Sequence, residues 1–547
     1  MKFKIEAIRY FLLTFLVTLI ELDSKAQAIT SFKTISGDGI YIEAYEKDIY
    51  NNAYIAGGTY GSSNFIYDTT NFAIGYSNLF ICKLDSLGLL VWINFYPVSE
   101  FSKLFDITID SIGNIYTCGT FHGNLILDSA NVFSSLSNSQ DGILLKLDSS
   151  GGVIWSRASY SIGNSGFSNP IIKNNDLYIN IQYSPEVYFD TLYFVGDQVY
   201  QNAVIFKLDT SGNIQTSKNM TCGTINGFKQ GTSQNLYVTG TTYTSMTIDS
   251  MQFPILGPGW SNIYLMKLDS NLQLLNHRTV TYPLIQYYWN SQPRFAIDEN
   301  ENIYLGGYFD SPSVIGDSIL NTASNLGDIF LAEFDSSFNY KWSRKYGGVE
   351  QDLLLDLKMT QNGKLILCTG FNDSTVFDGF NLSSLHGGTM LLSCIDSTGN
   401  VLWTKFNQEG YCGPIAKIIE LANNNISLLG SFSDSLLWDT YNESNGGYFI
   451  LEIEDITASN KEFVILEDDI VIYPNPSKGL ITFSKHNNQI EQLNLYDVSG
   501  KEILSKKILN SIDTVVLDYL QNGIYIILFF DKEMKLISRK RIVLCKI

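Results

Sequence analysis

A short apolar segment ending in an acidic residue recurs along this 547-residue chain. It reads Ile81-Cys82-Lys83-Leu84-Asp85 in the first copy and Leu144-Leu145-Lys146-Leu147-Asp148 in the second, and it returns at Asp209, Asp269, Asp335, Asp396 and Glu454. Successive copies stand 63, 61, 60, 66, 61 and 58 residues apart. A second segment precedes each copy, as in Ala53-Tyr54-Ile55-Ala56-Gly57 and Ile115-Tyr116-Thr117-Cys118-Gly119; the third, Leu177-Tyr178-Ile179-Asn180, lacks the glycine. Self-similarity at one period means one supersecondary unit stacked on copies of itself.

Each unit divides into four short strands. In the second they are Phe105-Ile109, Ile115 to Phe121, Ile143 to Leu147 and Val153 to Tyr160, joined through Asp-, Ser-, Asn- and Gly-rich turns. Seven such sheets bury their faces only against each other, and radial closure hides the ends of the array. The fourth strand often carries tryptophan, as at Trp92, Trp155, Trp342 and Trp403. The seventh unit has no fourth strand, but Thr30-Ser31-Phe32-Lys33-Thr34-Ile35 precedes the first complete unit in the register of one. The expected fold is therefore all-β: a seven-bladed β-propeller over 29–455, closed by the mature N-terminal strand.

The turn and strand Asp110-Ser111-Ile112-Gly113-Asn114-Ile115-Tyr116-Thr117-Cys118-Gly119, and more loosely Asp298-Glu299-Asn300-Glu301-Asn302-Ile303-Tyr304-Leu305-Gly306, carry a further likeness. They resemble the β-propeller repeat family often found in bacterial surface proteins. That scaffold serves binders and enzymes alike, so it implies no activity.

The two ends carry addresses. Lys2, Lys4 and Arg9 precede the apolar run from Tyr10 to Ile20, and Ala26-Gln27-Ala28 supplies a small-x-small cleavage site, so residues 1–28 read as a signal peptide. The run is too short for a transmembrane anchor, and no anchor is expected in the mature chain. Residues 456–469 read as an acidic linker. Residues 470–547 are strand-rich, with Tyr473-Pro474-Asn475-Pro476-Ser477-Lys478-Gly479 first, then Leu495-Tyr496-Asp497-Val498-Ser499-Gly500, then Asn522-Gly523-Ile524-Tyr525, and the basic run Arg539-Lys540-Arg541 last. This series resembles the type A sorting domain of the type IX secretion system of Bacteroidota. The resemblance implies a small Ig-like β-sandwich with Tyr473, Pro474, Asn475, Pro476, Gly479, Gly500, Gly523 and Tyr525 as motif residues. It also implies the type IX machinery as partner and a final location outside the cell or on its outer surface, reached through the periplasm.

Charge narrows the partners. The chain carries −19 overall; residues 1–28 hold 4 basic and 3 acidic side chains (+1) and residues 470–547 hold 11 and 7 (+4), which leaves −24 on 29–469. Such a surface repels phosphate backbones, so nucleic acid is not an expected partner. The seven cysteines are widely spaced with no CxxC pair, and most sit in apolar strands, where free buried thiols are expected.

Chemistry is harder to find. The four histidines, His122, His277, His386 and His486, fall at unrelated repeat positions, and no G-x-S-x-G, H-E-x-x-H or phosphate-loop pattern occurs. No residue is nominated as catalytic and no cofactor is required. Asp298, Asn300 and Asn302 alternate like the start of a calcium loop, but the glycine and glutamate of such a loop are missing, and a β-turn accounts for them better. The insertion from Tyr282 to Arg294, with Tyr287, Tyr288 and Trp289, interrupts the repeat and is the candidate binding loop. The sequence thus points to a secreted or surface propeller that binds a glycan or protein. An extracellular enzyme acting on polysaccharide and a structural surface protein are the alternatives.

Overall fold

The computed structural model describes residues 29–454 and 470–546, apart from 62–63, 137–138, 249–250, 254–260, 285–291, 310–311, 323–325, 373, 378–379, 384–387, 421–424, 474–476, 486–490, 498–500, 509–511, 531 and 533–535. The proposed signal peptide, the acidic linker and the loop residues Tyr287, Tyr288 and Trp289 lie outside the described residues, as do Pro474, Asn475, Pro476 and Gly500. Every regular element among the described residues is a β-strand, and no helix there is long and apolar enough to cross a membrane. The chain divides into two compact units, the larger ending at Ala458.

The larger unit is a propeller-like array of small antiparallel sheets. Its simplest sheet has the strand order Ile40–Lys47, Ala53–Tyr60, Ser77–Leu84, Leu90–Pro97, all antiparallel neighbours. The same order recurs in Lys103–Ile109, Ile115–His122, Gln140–Leu147, Val153–Tyr160 and in the units that follow. Second and third strands are buried almost throughout, as in Ala53–Tyr60 and Asp328–Phe334, so they read as unbroken apolar runs rather than alternating ones. Fourth strands are partly exposed. The last three strands of the array, Glu409–Glu420, Ile426–Trp438 and Gly447–Ile453, take Ile29–Ser36 as their outer neighbour, with Ile35 opposite Tyr448 and Phe32 opposite Leu451.

The repeated aspartates are turn-makers. Asp148 Oδ1 accepts backbone N–H bonds from Ser150 (2.8 Å) and Gly152 (3.0 Å), and Asp85, Asp209, Asp269, Asp335 and Asp396 accept the equivalent pair. The fourth residue of these turns needs positive φ, supplied by Gly151 (+88°) and Gly212 (+84°). Tryptophans of one unit seal the turn of the next: Trp92 Nε1 donates to Ser149 O (3.2 Å) and Trp155 Nε1 to Thr210 O (3.1 Å).

A feature absent from the sequence reading ties neighbouring units together. The small hairpin between second and third strands reaches back to the outer strand of the preceding unit. Backbone partners are Ile35 and Tyr67, Val98 and Leu125, Ser159 and Phe189, Met220 and Ile248, and Thr281 and Ile315. At the remaining junctions Gly347 N donates to Val376 O (3.1 Å) and Gln408 N to Leu437 O (2.8 Å).

The smaller unit has two antiparallel sheets. One contains Ile470–Tyr473, Leu480–Lys485 and Ile512–Val516; the other runs Glu502–Lys507, Gln492–Asp497, Gly523–Phe530, Leu536–Leu544. Phe483, Leu495, Ile527, Phe529 and Ile542 are buried between them, the expected sandwich core. All seven cysteines are free thiols, and all but the partly exposed Cys545 are buried.

Candidate binding site in the central channel

The innermost strands converge on a cavity of 370 Å³. Ile40–Lys47, Lys103–Ile109, Asn164–Lys173, Gly227–Gln230, Arg294–Ile297, Asp352–Met359 and Glu409–Glu420 all contribute to its wall. The wall mixes neutral hydrogen-bonding groups (Thr108, Asn169, Asn226, Gln230) with charges, and behind it the rings of Tyr45, Phe228 and Phe295 are buried in the sheet cores. Five cations, Lys173, Lys229, Arg294, Lys358 and Lys417, face three anions, Glu46, Asp106 and Asp356, a net of +2 inside a strongly acidic chain.

The carboxylates are largely occupied. Asp106 Oδ1 receives Lys417 Nζ at 3.3 Å and its Oδ2 accepts the Asn169 N–H (3.0 Å). Asp356 accepts backbone N–H bonds on both oxygens, from Leu357 (2.9 Å) and Ile418 (2.7 Å). Arg294 Nε donates to Leu355 O at 3.1 Å.

Lys229 differs from these groups. It is half-buried in the cavity wall, and neither it nor Lys358 has a hydrogen-bond or ion-pair partner among the described residues. Burial pushes its pKa down to about 8, Lys358 and Lys417 add to the effect, and Asp356 and Glu46 oppose it.

The sequence-nominated residues lie elsewhere. Asp298 commits its carboxylate to its own turn, accepting N–H bonds from Asn300 (2.9 Å) and Asn302 (2.8 Å) and the Asn302 side-chain amide (2.8 Å). Glu301, three residues after Asp298, sits at φ +60° where the turns at Gly151 and Gly212 carry glycine, and it reaches into the preceding unit. There its carboxylate accepts Ser233 N–H (2.7 Å) and Tyr237 O–H (2.8 Å) with Lys267 Nζ at 3.6 Å; against the cost of burial, these partners hold its pKa down at about 2. No cluster of three or more His, Cys, Asp or Glu side chains able to hold a metal occurs among the described residues. In the smaller unit, Tyr525 donates to Gln521 O (2.8 Å), and Gly479 adopts φ +123° against Asp518.

Sequence reasoning missed the channel residues. A signal was present, because Asp106, Lys229, Lys358 and Lys417 break the apolar character of first strands, but only the fold brings them to one place.

Residues 471–544 match the family model described as the Secretion system C-terminal sorting domain. No curated protein matches the chain. Similar solved structures include the Dos1 propeller (10% identity, TM-score 0.39, 77% of this chain and 94% of that one). Another is a point mutant of the NanB sialidase of Streptococcus pneumoniae (10%, 0.34, 75% and 68%). A third is PorZ, a surface component of the type IX secretion system of Porphyromonas gingivalis (10%, 0.21, 93% and 82%). At these scores the likenesses carry no inference about activity. The C-terminal match, with the strand order and motif residues above, identifies residues 471–544 as a type IX sorting domain, and the chain is a protein exported to the cell surface or the extracellular space.

Proposed function

We propose that residues 29–455 form a seven-bladed ring closed by Ile29–Ser36, and that this ring is an exported, non-catalytic platform binding a glycan or protein at its central channel. Ring closure is supported by the likeness of its junctions. Ile35 pairs with Tyr67 across the first and last units as Ser159 pairs with Phe189 between the second and third. Tyr45 Oη and Ser427 Oγ, 2.6 Å apart, add a buried hydrogen bond across the same seam.

The observation that carries binding over hydrolysis is the state of the channel carboxylates. An acid and base pair for glycoside cleavage needs two carboxyl groups free to exchange protons with substrate. Asp106 is ion-paired to Lys417, Asp356 is held by two backbone amides, and Glu46 Oε1 accepts the Lys47 N–H (3.0 Å). The amide groups around them suit sugar hydroxyls. A resident cofactor is not part of this reading.

A glycan-array screen of the purified chain, with and without calcium, followed by assay of any hit for released sugar, tests the proposal. Binding without release supports it. Release of sugar replaces it with an enzyme, and binding that demands calcium would return the Asp298 turn to consideration as a metal site.

A further inference from the structure

We infer that the channel is built for an anionic sugar, one charged through a carboxylate or a sulfate, with Lys229 and Lys358 receiving the charged group. This rests on the platform reading and specifies its ligand class.

The argument begins with charge. The wall carries five cations and three anions although the chain as a whole is at −19, so the positive excess is concentrated where the cavity is. Lys417 and Asp106 satisfy one another, and Asp356 is satisfied by the backbone. Of the other cations, Lys173 is exposed and Arg294 donates to Leu355 O, while Glu46 accepts the Lys47 N–H; Lys229 and Lys358 are the remaining half-buried lysines of the wall, on innermost-strand positions that each pair with the start of a second strand: Lys229 with Tyr237, and Lys358 with Ile366. Two ammonium groups close enough for one to lower the other's proton affinity are held there without a partner among the described residues. An anion entering between them would relieve that repulsion, and charge-assisted hydrogen bonds are the strongest kind available in such a site.

The rest of the wall decides what carries the charge. Asn226 and Gln230 stand near Lys229 in sequence; Asn226 Oδ1 accepts the Thr224 hydroxyl (3.1 Å) and Gln230 Nε2 donates to Gln234 O (3.0 Å), which leaves the Asn226 amide N–H groups as donors that hydroxyl groups can use. An inorganic anion would leave these groups without a role, and a neutral sugar would leave the two lysines unpaired.

The experiment is calorimetric titration of the purified full chain with galacturonate, galactose 6-sulfate and galactose, repeated on Lys229→Met, Lys358→Met and the Lys229→Arg, Lys358→Arg double variant. The expected result is that at least one anionic sugar binds about tenfold or more tightly than galactose, the order of one charge-assisted hydrogen bond. Each methionine substitution should then weaken it by about the same factor, while the arginine pair retains it. Galacturonate binding alone assigns a carboxylate, and the sulfate ester alone assigns a sulfated glycan. Unfolding midpoints of the methionine variants at or above that of the parent show that lost binding is not lost folding. Equal affinity for galactose, no binding of either anion, or binding unchanged by the methionine substitutions overturns the inference. In each of those cases a hit on the wider glycan array would leave the platform reading standing, so the two fail separately.

Discussion

Lys417 Nζ lies 3.3 Å from Asp106 Oδ1, although 311 residues separate them in sequence. The lysine comes from the last innermost strand and the aspartate from the second, so the pair spans the first unit at the channel wall. An open array would hold these residues far apart. Each side chain keeps roughly a third of its surface in solvent, with 31% and 27% exposed, so screening limits the interaction. A double-mutant cycle with Lys417→Met and Asp106→Asn should give a coupling of about 0.5–1 kcal/mol in urea unfolding, falling with salt. A coupling indistinguishable from zero at low salt would contradict the ring.

The proposed closure depends on one strand from the far end of the chain. Ile35 is fully buried and packs with Tyr67, Leu429, Tyr448 and Ile450, whereas Thr30 on the same strand lies at the surface. Ile35→Ala should destabilise the larger unit by about 2–4 kcal/mol, and Thr30→Ala by less than about 0.5 kcal/mol. Equal small effects at both positions in denaturant unfolding would mean that the strand is an accessory.

Much of this architecture was readable in the sequence because it repeats. Asp148 and its equivalents announce turns through local hydrogen bonds, Trp92 and Trp155 mark outer strands, and the missing seventh outer strand points to Thr30–Ile35. Less was readable where contacts are not local. The hairpins that lace adjacent units lie in insertions of differing sequence, and their role is backbone pairing, which leaves little side-chain signature. Glu301 stood in the sequence only as part of a looser copy of the repeat turn, yet it serves Tyr237 and Lys267 of another unit. Lys229 reads locally as one charged residue in a short strand, and its isolation exists only once the innermost strands surround it.

That isolation has a stability consequence. The folded-state pKa of Lys229 is near 8, below the ordinary lysine value, so the unfolded chain binds more protons between about pH 8 and 10.4. Stability contributed at this position is lowest below pH 8 and rises through that window. Lys229→Met removes the penalty, and the variant should unfold at higher urea concentration than the parent at pH 7, with the difference shrinking toward about pH 10. A variant less stable than the parent at pH 7 would show that the ammonium has a partner in solution.

A second buried charge titrates in the opposite sense. Asp352 is 1% exposed, accepts the Gly348 N–H at 2.9 Å, and lies near the fully buried Asp328, itself 3.3 Å from Lys345. Burial first, and Asp328 in addition, push its pKa up to about 7. The folded state therefore holds a proton that the unfolded chain has released, and stability should fall as pH rises from about 4 to about 7, by an amount on the order of a few kcal/mol. Asp352→Asn should flatten this dependence and leave the chain more stable than the parent at about pH 8. Parallel urea midpoints for both proteins between about pH 5 and 8 would refute the assignment.

In the sorting domain two motif glycines make different demands on the backbone. Gly479 has φ +123°, and a Cβ there would stand 2.8 Å from Asp518 Cα, a backbone atom that cannot swing aside. Gly523 lies within a strand, and the nearest atom to an added Cβ is Tyr525 Cε2 at 3.8 Å, an ordinary contact. Gly479→Ala should therefore destabilise the domain by about 1–3 kcal/mol, whereas Gly523→Ala is tolerated. Export should follow stability: the first variant accumulates in the periplasm while the second reaches the surface or medium as the parent does, measured by immunoblot of the fractions. If Gly479→Ala is as thermally stable as the parent and still fails to leave the periplasm, the glycine is read directly by the export machinery. If both variants leave the periplasm normally, neither backbone position limits sorting.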